Sequence, residues 1–211
     1  MEQIAKPHCG ARLDRLPDCR WHTSMFAMVA FGLLVCWSNA VGGLILAQLK
    51  ELGWTDNSTT ATFSAITTAG MFLGALGGGI IGDKIGRKNA FILYEAIHII
   101  SMIVGAFSPN MTFLIACRFV MGVGLGALLV TLFAGFTEYM PGRNRGTWSS
   151  RVSFIGNWSY PLCSLIAMGL TPLISAEWNW RAPLLIPAVL SIIETVVAWR
   201  SIPESARKPG A

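Results

Sequence analysis

A chain of 211 residues that is 53% hydrophobic and only 13% charged falls far below the roughly one-quarter charged content of a soluble domain, which excludes an ordinary water-exposed fold. The formal net charge of +5 would suit nucleic acid, but the bases are sorted along the chain in a way that excludes that partner. Of five cysteines, Cys36, Cys117 and Cys163 lie inside apolar runs, so no disulfide framework is implied.

The first segment, 1–24, is a polar tail carrying Lys6, Arg12, Arg15 and Arg20. It reads as a cytoplasmic amphipathic lead-in with no cleavable signal peptide, because the apolar run that follows is too long and lacks a small-residue cleavage site. His8, Cys9, Cys19 and His22 could in principle hold zinc, but their spacing matches no zinc pattern. Neither a metal site nor a cofactor is predicted. Apolar runs then occupy 25–46, 60–81, 90–107, 112–135, 152–173 and 182–199. Each approaches the ~20 residues that cross a bilayer as a helix. The prediction is an all-α membrane protein with a six-helix bundle over 25–200 and a short cytoplasmic end, 201–211.

Asp56, Asn57 and Ser58 suit the N-cap of the second helix, although Asn57-Ser58-Thr59 also reads as a glycosylation sequon. That helix carries Gly70, Gly74, Gly78 and Gly82 at a spacing of four, a stripe that lets a neighbouring helix approach to backbone contact. Its inner end runs into GGGIIGDKIGRKNAF (77–91), where Asp83, Lys84, Arg87 and Lys88 crowd into one turn. A solvated basic loop would account for the bases but not for Asp83 or the spaced glycines. A carboxylate at a helix end beside guanidinium and ammonium groups can form a network that holds one conformation.

The third helix buries Glu95 and His98 three residues apart on one face; they read as a proton relay or as local pairing near the inner surface. The fourth carries Arg118 at membrane depth, followed by Gly122, Gly124 and Gly126. A charge there is expensive and belongs to a cavity or a partner. On the fifth, Ser153, Asn157 and Tyr160 form an i, i+4, i+7 face that suits a cavity wall or interhelical hydrogen bonding. Trp37, Ser38 and Asn39 of the first helix could supply the facing wall, and Glu194 is a further ionisable group in the sixth. Trp54, Trp178 and Trp180 are expected at the outer interface, and Trp21, Trp148 and Trp199 near the inner one. Thirteen bases fall on the tail side of the spans, against Lys50 and Arg181 opposite, which puts both termini in the cytoplasm.

The turn Gly79-x3-Asp83-Lys84-x-Gly86-Arg87-Lys88 resembles the signature loop between helices two and three of the major facilitator superfamily. Arg118-x3-Gly122-x-Gly124-x-Gly126 resembles its fourth-helix motif, and Glu138-x2-Pro141-x3-Arg145-Gly146 the sugar-porter pattern that follows. Trp180-Arg181, Pro203-Glu204-Ser205 and the tail LDRLPDCRWH (13–22) are similar to the sugar-porter and metabolite-symporter branch. The resemblance implies two six-helix halves that rock about a midplane site, each half a three-plus-three inverted repeat. It implies that Asp83, Lys84, Arg87, Lys88, Glu138 and Arg145 form an inner gate, and that the substrate is a small polar metabolite in a bacterial inner membrane.

Three departures qualify what the resemblance implies. Members have twelve helices and this chain ends after six, so it is expected to be an N-terminal half that needs a second half or a second copy. The alternative is a non-transporting fragment that is inert or pairs with a full-length relative. Ser38 stands where proton-coupled sugar porters carry a first-helix aspartate, so little dependence on a pH gradient is expected unless Glu95 and His98 take over. Ser153 and Tyr160 replace fifth-helix glutamines, which argues against a hexose, and Arg118 suits a small organic anion. An enzyme is not expected, because no Ser/His/Asp set, metal-ligand helix or phosphate loop occurs.

Overall fold

The structure, a computed structural model, describes residues 23, 26–27, 29–33, 42–139, 144–170 and 176–201, with only the backbone at 138–139, 163, 167–168, 170, 176–177 and 201. The zinc-type residues of the tail, Trp21, the Trp37-Ser38-Asn39 wall and the segment 202–211 lie outside the described residues. Within them the chain is helical almost throughout. Residues 29–33 are helical, and α1 follows at Gly42–Glu51. Next come α2 (Asn57–Ile85), α3 (Arg87–Ala106) and α4 (Met111–Tyr139). The fifth run is built from α5 (Arg145–Asn157) and α6 (Ser159–Leu170), and the chain continues through a short α7 (Ala176–Asn179) to α8 (Ala182–Ser201). Among the described residues, α2, α3, α4 and α8 are long and apolar enough to cross a membrane, and they coincide with four of the six predicted spans.

Local chemistry explains the boundaries. Asp56 is the N-cap of α2 as expected, but its carboxylate accepts the Ser58 hydroxyl at 3.1 Å rather than a backbone N–H. Asn110 Oδ1 accepts the Phe113 N–H at 2.9 Å and caps α4. The fifth run breaks between Asn157 and Ser159 because Pro161 has no N–H to give the Asn157 carbonyl four residues earlier. Between α2 and α3 a single residue reverses the chain. Gly86 sits at φ 90°, ψ 146°, a region essentially reserved for glycine, and its N–H bonds Gly82 O at 3.1 Å.

The centre of the bundle is the crossing of α2 with α4. Gly70 faces the Phe119 carbonyl, Gly74 the Val123 backbone and Gly78 the Cα of Ala127. From the other side, Gly122 meets the Thr67 carbonyl and Gly126 the Met71 backbone. The predicted stripe is therefore one half of a two-sided zipper. Gly82 differs: a Cβ there would stand 3.5 Å from Arg87 Nη1, in ordinary contact. Gly124 faces α3 instead, 3.1 Å from the His98 backbone nitrogen by the same construction. Dispersion at close backbone approach replaces the hydrophobic effect as the adhesive between helices in lipid.

Two apolar clusters fill the bundle. One gathers Val29, Leu33, Phe91, Tyr94, Leu128 and Phe136 at the end nearest the α2–α3 turn. The other gathers Leu49, Phe63, Met102, Leu114, Trp180 and Leu184 toward the opposite end. Trp180, expected at the outer interface, is only 1% exposed within the protein. It packs beside Trp54 at 5.7 Å between ring centroids, and α7 and the turn after it place the ring in the core. Trp178 is exposed as an interface residue should be, and the Arg181 guanidinium lies 5.1 Å from both the Trp178 and Trp180 rings.

Candidate functional site

The turn between α2 and α3 holds the first constellation. Arg87 Nη2 donates to Asp83 Oδ1 at 2.9 Å across Gly86. The absence of a side chain at Gly82 leaves room for the guanidinium, with Thr131 Oγ1 of α4 beside the same position. Lys84 is exposed, Lys88 is half-buried, and Arg145 opens α5 on an exposed face. The structure thus brings Asp83 and Arg87 together, whereas the Glu138 side chain lies outside the described residues. Asp83 is 69% exposed, and an ion pair so open to water contributes about 0–1 kcal/mol. Asp83→Asn is therefore expected to leave thermal stability within about 1 kcal/mol of the parent. Its membrane abundance should likewise stay near the parent's, and a large loss of either would assign the pair to folding.

The second constellation lies in the bundle interior. Arg118 of α4 is 1% exposed, with its guanidinium carbon 4.8 Å from the centroid of the Phe63 ring of α2. Its Nη1 stands 3.9 Å from where a Cβ on Gly42 of α1 would be, so three segments enclose the charge. His98 of α3 lies within its electrostatic reach. Glu95 and His98 are both fully buried, which corrects the reading of Glu95 as a residue paired locally near the inner surface. Its neighbour is Ser191 of α8, and the carboxylate of Glu194, also on α8, lies within coulombic reach. Glu194 Oε1 occupies the space that a side chain on Gly32 would need. A buried guanidinium over an aromatic ring can take an anion or a polarised hydroxyl. Buried carboxyls and an imidazole can take up and release protons.

Sequence reasoning singled out Arg118, Glu95 and His98 but missed Ser191, Phe63 and Gly32 as their surroundings, and gave Glu194 no partner. Ser191 and Glu194 are three apart in a run whose other polar residue is Thr195, the same spacing that exposed Glu95 and His98. That signal was present. Phe63 carried no signal, because an aromatic residue in a membrane helix is ordinary core.

The third set lies on the fifth run. Ser153 is half-buried, Asn157 and Tyr160 are exposed, and Asn157 Nδ2 donates to the Ser153 carbonyl at 2.9 Å. This polar face is bordered by exposed Phe154 and Trp158, whose rings meet edge-on at 6.3 Å. It is open in this chain, as the wall of a cleft or a lipid-facing strip would be.

Comparison with known proteins gives a consistent result. A profile of the Major Facilitator Superfamily matches residues 25–211. The chain is 90% identical over 207 residues to the putative metabolite transport protein YdjK of Escherichia coli K12, covering 98% of this chain and 45% of YdjK. It is 39% identical over 199 residues to the inner membrane metabolite transport protein YdjE of the same strain, covering 94% of this chain and 43% of YdjE. Among solved structures, the inward-open xylose transporter XylE of E. coli superposes with a TM-score of 0.76 at 19% identity. That match takes in 88% of this chain and 49% of XylE. The chain spans about half the length of the curated relatives it matches.

Proposed function

This chain belongs to the major facilitator superfamily, and on that premise we propose that it forms one six-helix half of a transporter moving a small polar metabolite by alternating access. The substrate is sugar-like or an organic anion. The observation that carries the reading is the burial of Arg118, Glu95, His98 and Glu194, the ionisable side chains among the buried polar ones of the described residues, inside a largely apolar bundle. Charged groups at membrane depth are costly, and they persist where a pathway or relay uses them. Arg118 over Phe63 supplies the substrate contact, with Ser153, Asn157, Tyr160 and the Trp37-Ser38-Asn39 wall completing the half-site. Asp83, Lys84, Arg87, Lys88, Glu138 and Arg145 act as the inner latch, and the short Asp83–Arg87 bridge supports that assignment. Glu95 and His98 are the candidate proton site in place of a first-helix carboxylate. The sorting of bases supports cytoplasmic termini, and the relative YdjE, named an inner membrane protein, supports a bacterial inner membrane. The other wall of the site comes from a second half, because superfamily sites lie at the interface between repeats.

Uptake into proteoliposomes tests the reading, with a panel of radiolabelled pentoses, hexoses and small carboxylates. The chain is assayed alone and joined to the remaining part of YdjK. Saturable uptake by the joined form is the expected result, with accumulation under an imposed proton gradient that is lost in Glu95→Gln. Accumulation that survives both Glu95→Gln and His98→Asn would remove the third helix from coupling. No saturable uptake in either form, from protein that is folded and inserted, would favour a non-transporting membrane fragment.

A further inference from the structure

The span on α8 fixes the depth of the residue before it. Its 19 residues, Ala182–Arg200, rise about 28 Å, close to the ~30 Å thickness of a bilayer's hydrocarbon core. Arg181 precedes the first of them and therefore stands at headgroup depth. Its neighbours Trp180 and Leu184 belong to the apolar cluster away from the α2–α3 turn, so this is the leaflet opposite the Asp83–Arg87 pair.

The Arg181 guanidinium is enclosed on one side and open on the other. Its carbon lies 5.1 Å from the centroids of both the Trp178 and the Trp180 rings. Trp180 is buried and packs beside Trp54, whereas Trp178 is exposed. Nε is buried without a hydrogen-bond partner, while Nη1 and Nη2 are accessible and make no hydrogen bond to the described residues. Among those residues no carboxylate pairs with Arg181. Lys50, the other base at this end, donates to Asn57 Oδ1 at 3.1 Å. The Arg181 carbonyl accepts the Leu184 and Leu185 N–H groups at 3.0 Å each. α8 thus starts at this residue and turns the positive end of its dipole toward the same level.

A long cation at the end of a span ordinarily reaches out into water. Here two indoles hold the guanidinium at the depth that tryptophan itself favours. Their contact accounts for the position of the charge but leaves the Nη protons without acceptors. At that depth the plentiful acceptor is the lipid phosphodiester, and the planar fork of two terminal nitrogens matches a phosphate. We propose that Arg181 binds the phosphodiester of a membrane lipid, with Nη1 and Nη2 donating to its non-bridging oxygens and Trp178 beside it at the surface. Occupancy ties the corner between α7 and α8 to the leaflet on that side. The site requires that the chain cross the membrane and does not depend on transport.

The test uses the 211-residue chain, labelled with nitrogen-15 at arginine, in micelles of a non-ionic detergent, with phosphatidylglycerol as the probe. Arg181→Lys identifies the Arg181 guanidinium signals by their loss. Added phosphatidylglycerol should shift those signals saturably, and diacylglycerol with the same acyl chains should not. Millimolar inorganic phosphate should neither shift them nor compete. In native mass spectra, Arg181→Ala should weaken one phosphatidylglycerol adduct by about ten-fold or more, and Lys50→Gln should leave every adduct unchanged. Guanidinium signals that do not move with phosphatidylglycerol overturn the proposal. An equal response to diacylglycerol would make the site an apolar groove, and displacement by inorganic phosphate would make it a soluble-anion site; either result overturns the lipid assignment. An unchanged adduct pattern in a folded Arg181→Ala chain overturns the part given to the arginine. If neither Arg181 variant folds, contacts of the guanidinium signals with the Trp178 and Trp180 ring protons identify Arg181 in the parent, and its three titrations still decide.

Discussion

Gly74→Ala should destabilise the bundle strongly, while Gly77→Ala, three residues along the same helix, should be neutral or stabilising. A Cβ on Gly74 would collide with the backbone of Val123, which cannot rotate away as a side chain can. A Cβ on Gly77 meets nothing within 4 Å. Overpacking a tight contact costs roughly 1–3 kcal/mol, and here the α2–α4 crossing must open along its whole length. Removing a glycine from an unconstrained helix position gains about 0.5–1 kcal/mol. Gly126→Ala should repeat the Gly74 result from the other side, because it opposes the Met71 backbone. Thermal unfolding in detergent, read alongside membrane abundance, checks the series. Similar effects at Gly74 and Gly77 would mean that the crossing does not depend on close backbone approach.

That series also shows where the sequence was informative. Glycines four apart in a membrane helix announce a contact stripe, because every fourth residue of an α-helix lies on one face. The stripe cannot announce its partner. Gly122 and Gly126 lie in α4, and only the fold shows that they meet Thr67 and Met71 while Gly124 turns to α3. The same limit applies to the charges. Asp83 and Arg87 were legible as a pair because they are four residues apart in sequence. Glu95 and Glu194 are ninety-nine residues apart, and no local pattern joins an acid on α3 to one on α8. Trp180 shows the limit from the other side: an indole beside an arginine near a helix end reads as an interface anchor, and only the fold shows that its ring is buried beside Trp54.

The family shapes what the missing first-helix carboxylate means. In proton-coupled sugar porters that carboxylate stands near the fourth-helix arginine, so proton release changes the arginine's partner and biases the gate. Ser38 cannot fill that role, being a hydroxyl that does not titrate near neutral pH. Among the described residues of this chain the buried acids lie on α3 and α8, and His98 of α3 is within electrostatic reach of the Arg118 guanidinium.

Arg118→Ala should abolish uptake by the chain joined to the remaining part of YdjK, and Arg118→Lys should weaken it. The guanidinium is buried, with its carbon 4.8 Å from the centroid of the Phe63 ring. Truncating a buried charge that binds an anion costs on the order of 2–5 kcal/mol, a loss of roughly thirty-fold to over a thousand-fold in affinity. Lysine keeps the charge but not the planar fork, so a carboxylate loses its second hydrogen bond and binding should fall by about ten-fold. Phe63→Leu should cost about 0.5–2 kcal/mol, because it removes the ring that holds the guanidinium in place. The series separates the two substrate classes. A carboxylate substrate predicts the graded order parent, lysine, alanine; a sugar-like substrate needs only a donor, and lysine should then match the parent. Membrane abundance and thermal stability of each variant must stay near those of the parent for either order to count. Uptake within two-fold of the parent in a stably folded Arg118→Ala protein would remove Arg118 from the substrate path and leave it as a structural charge between α1, α2 and α4.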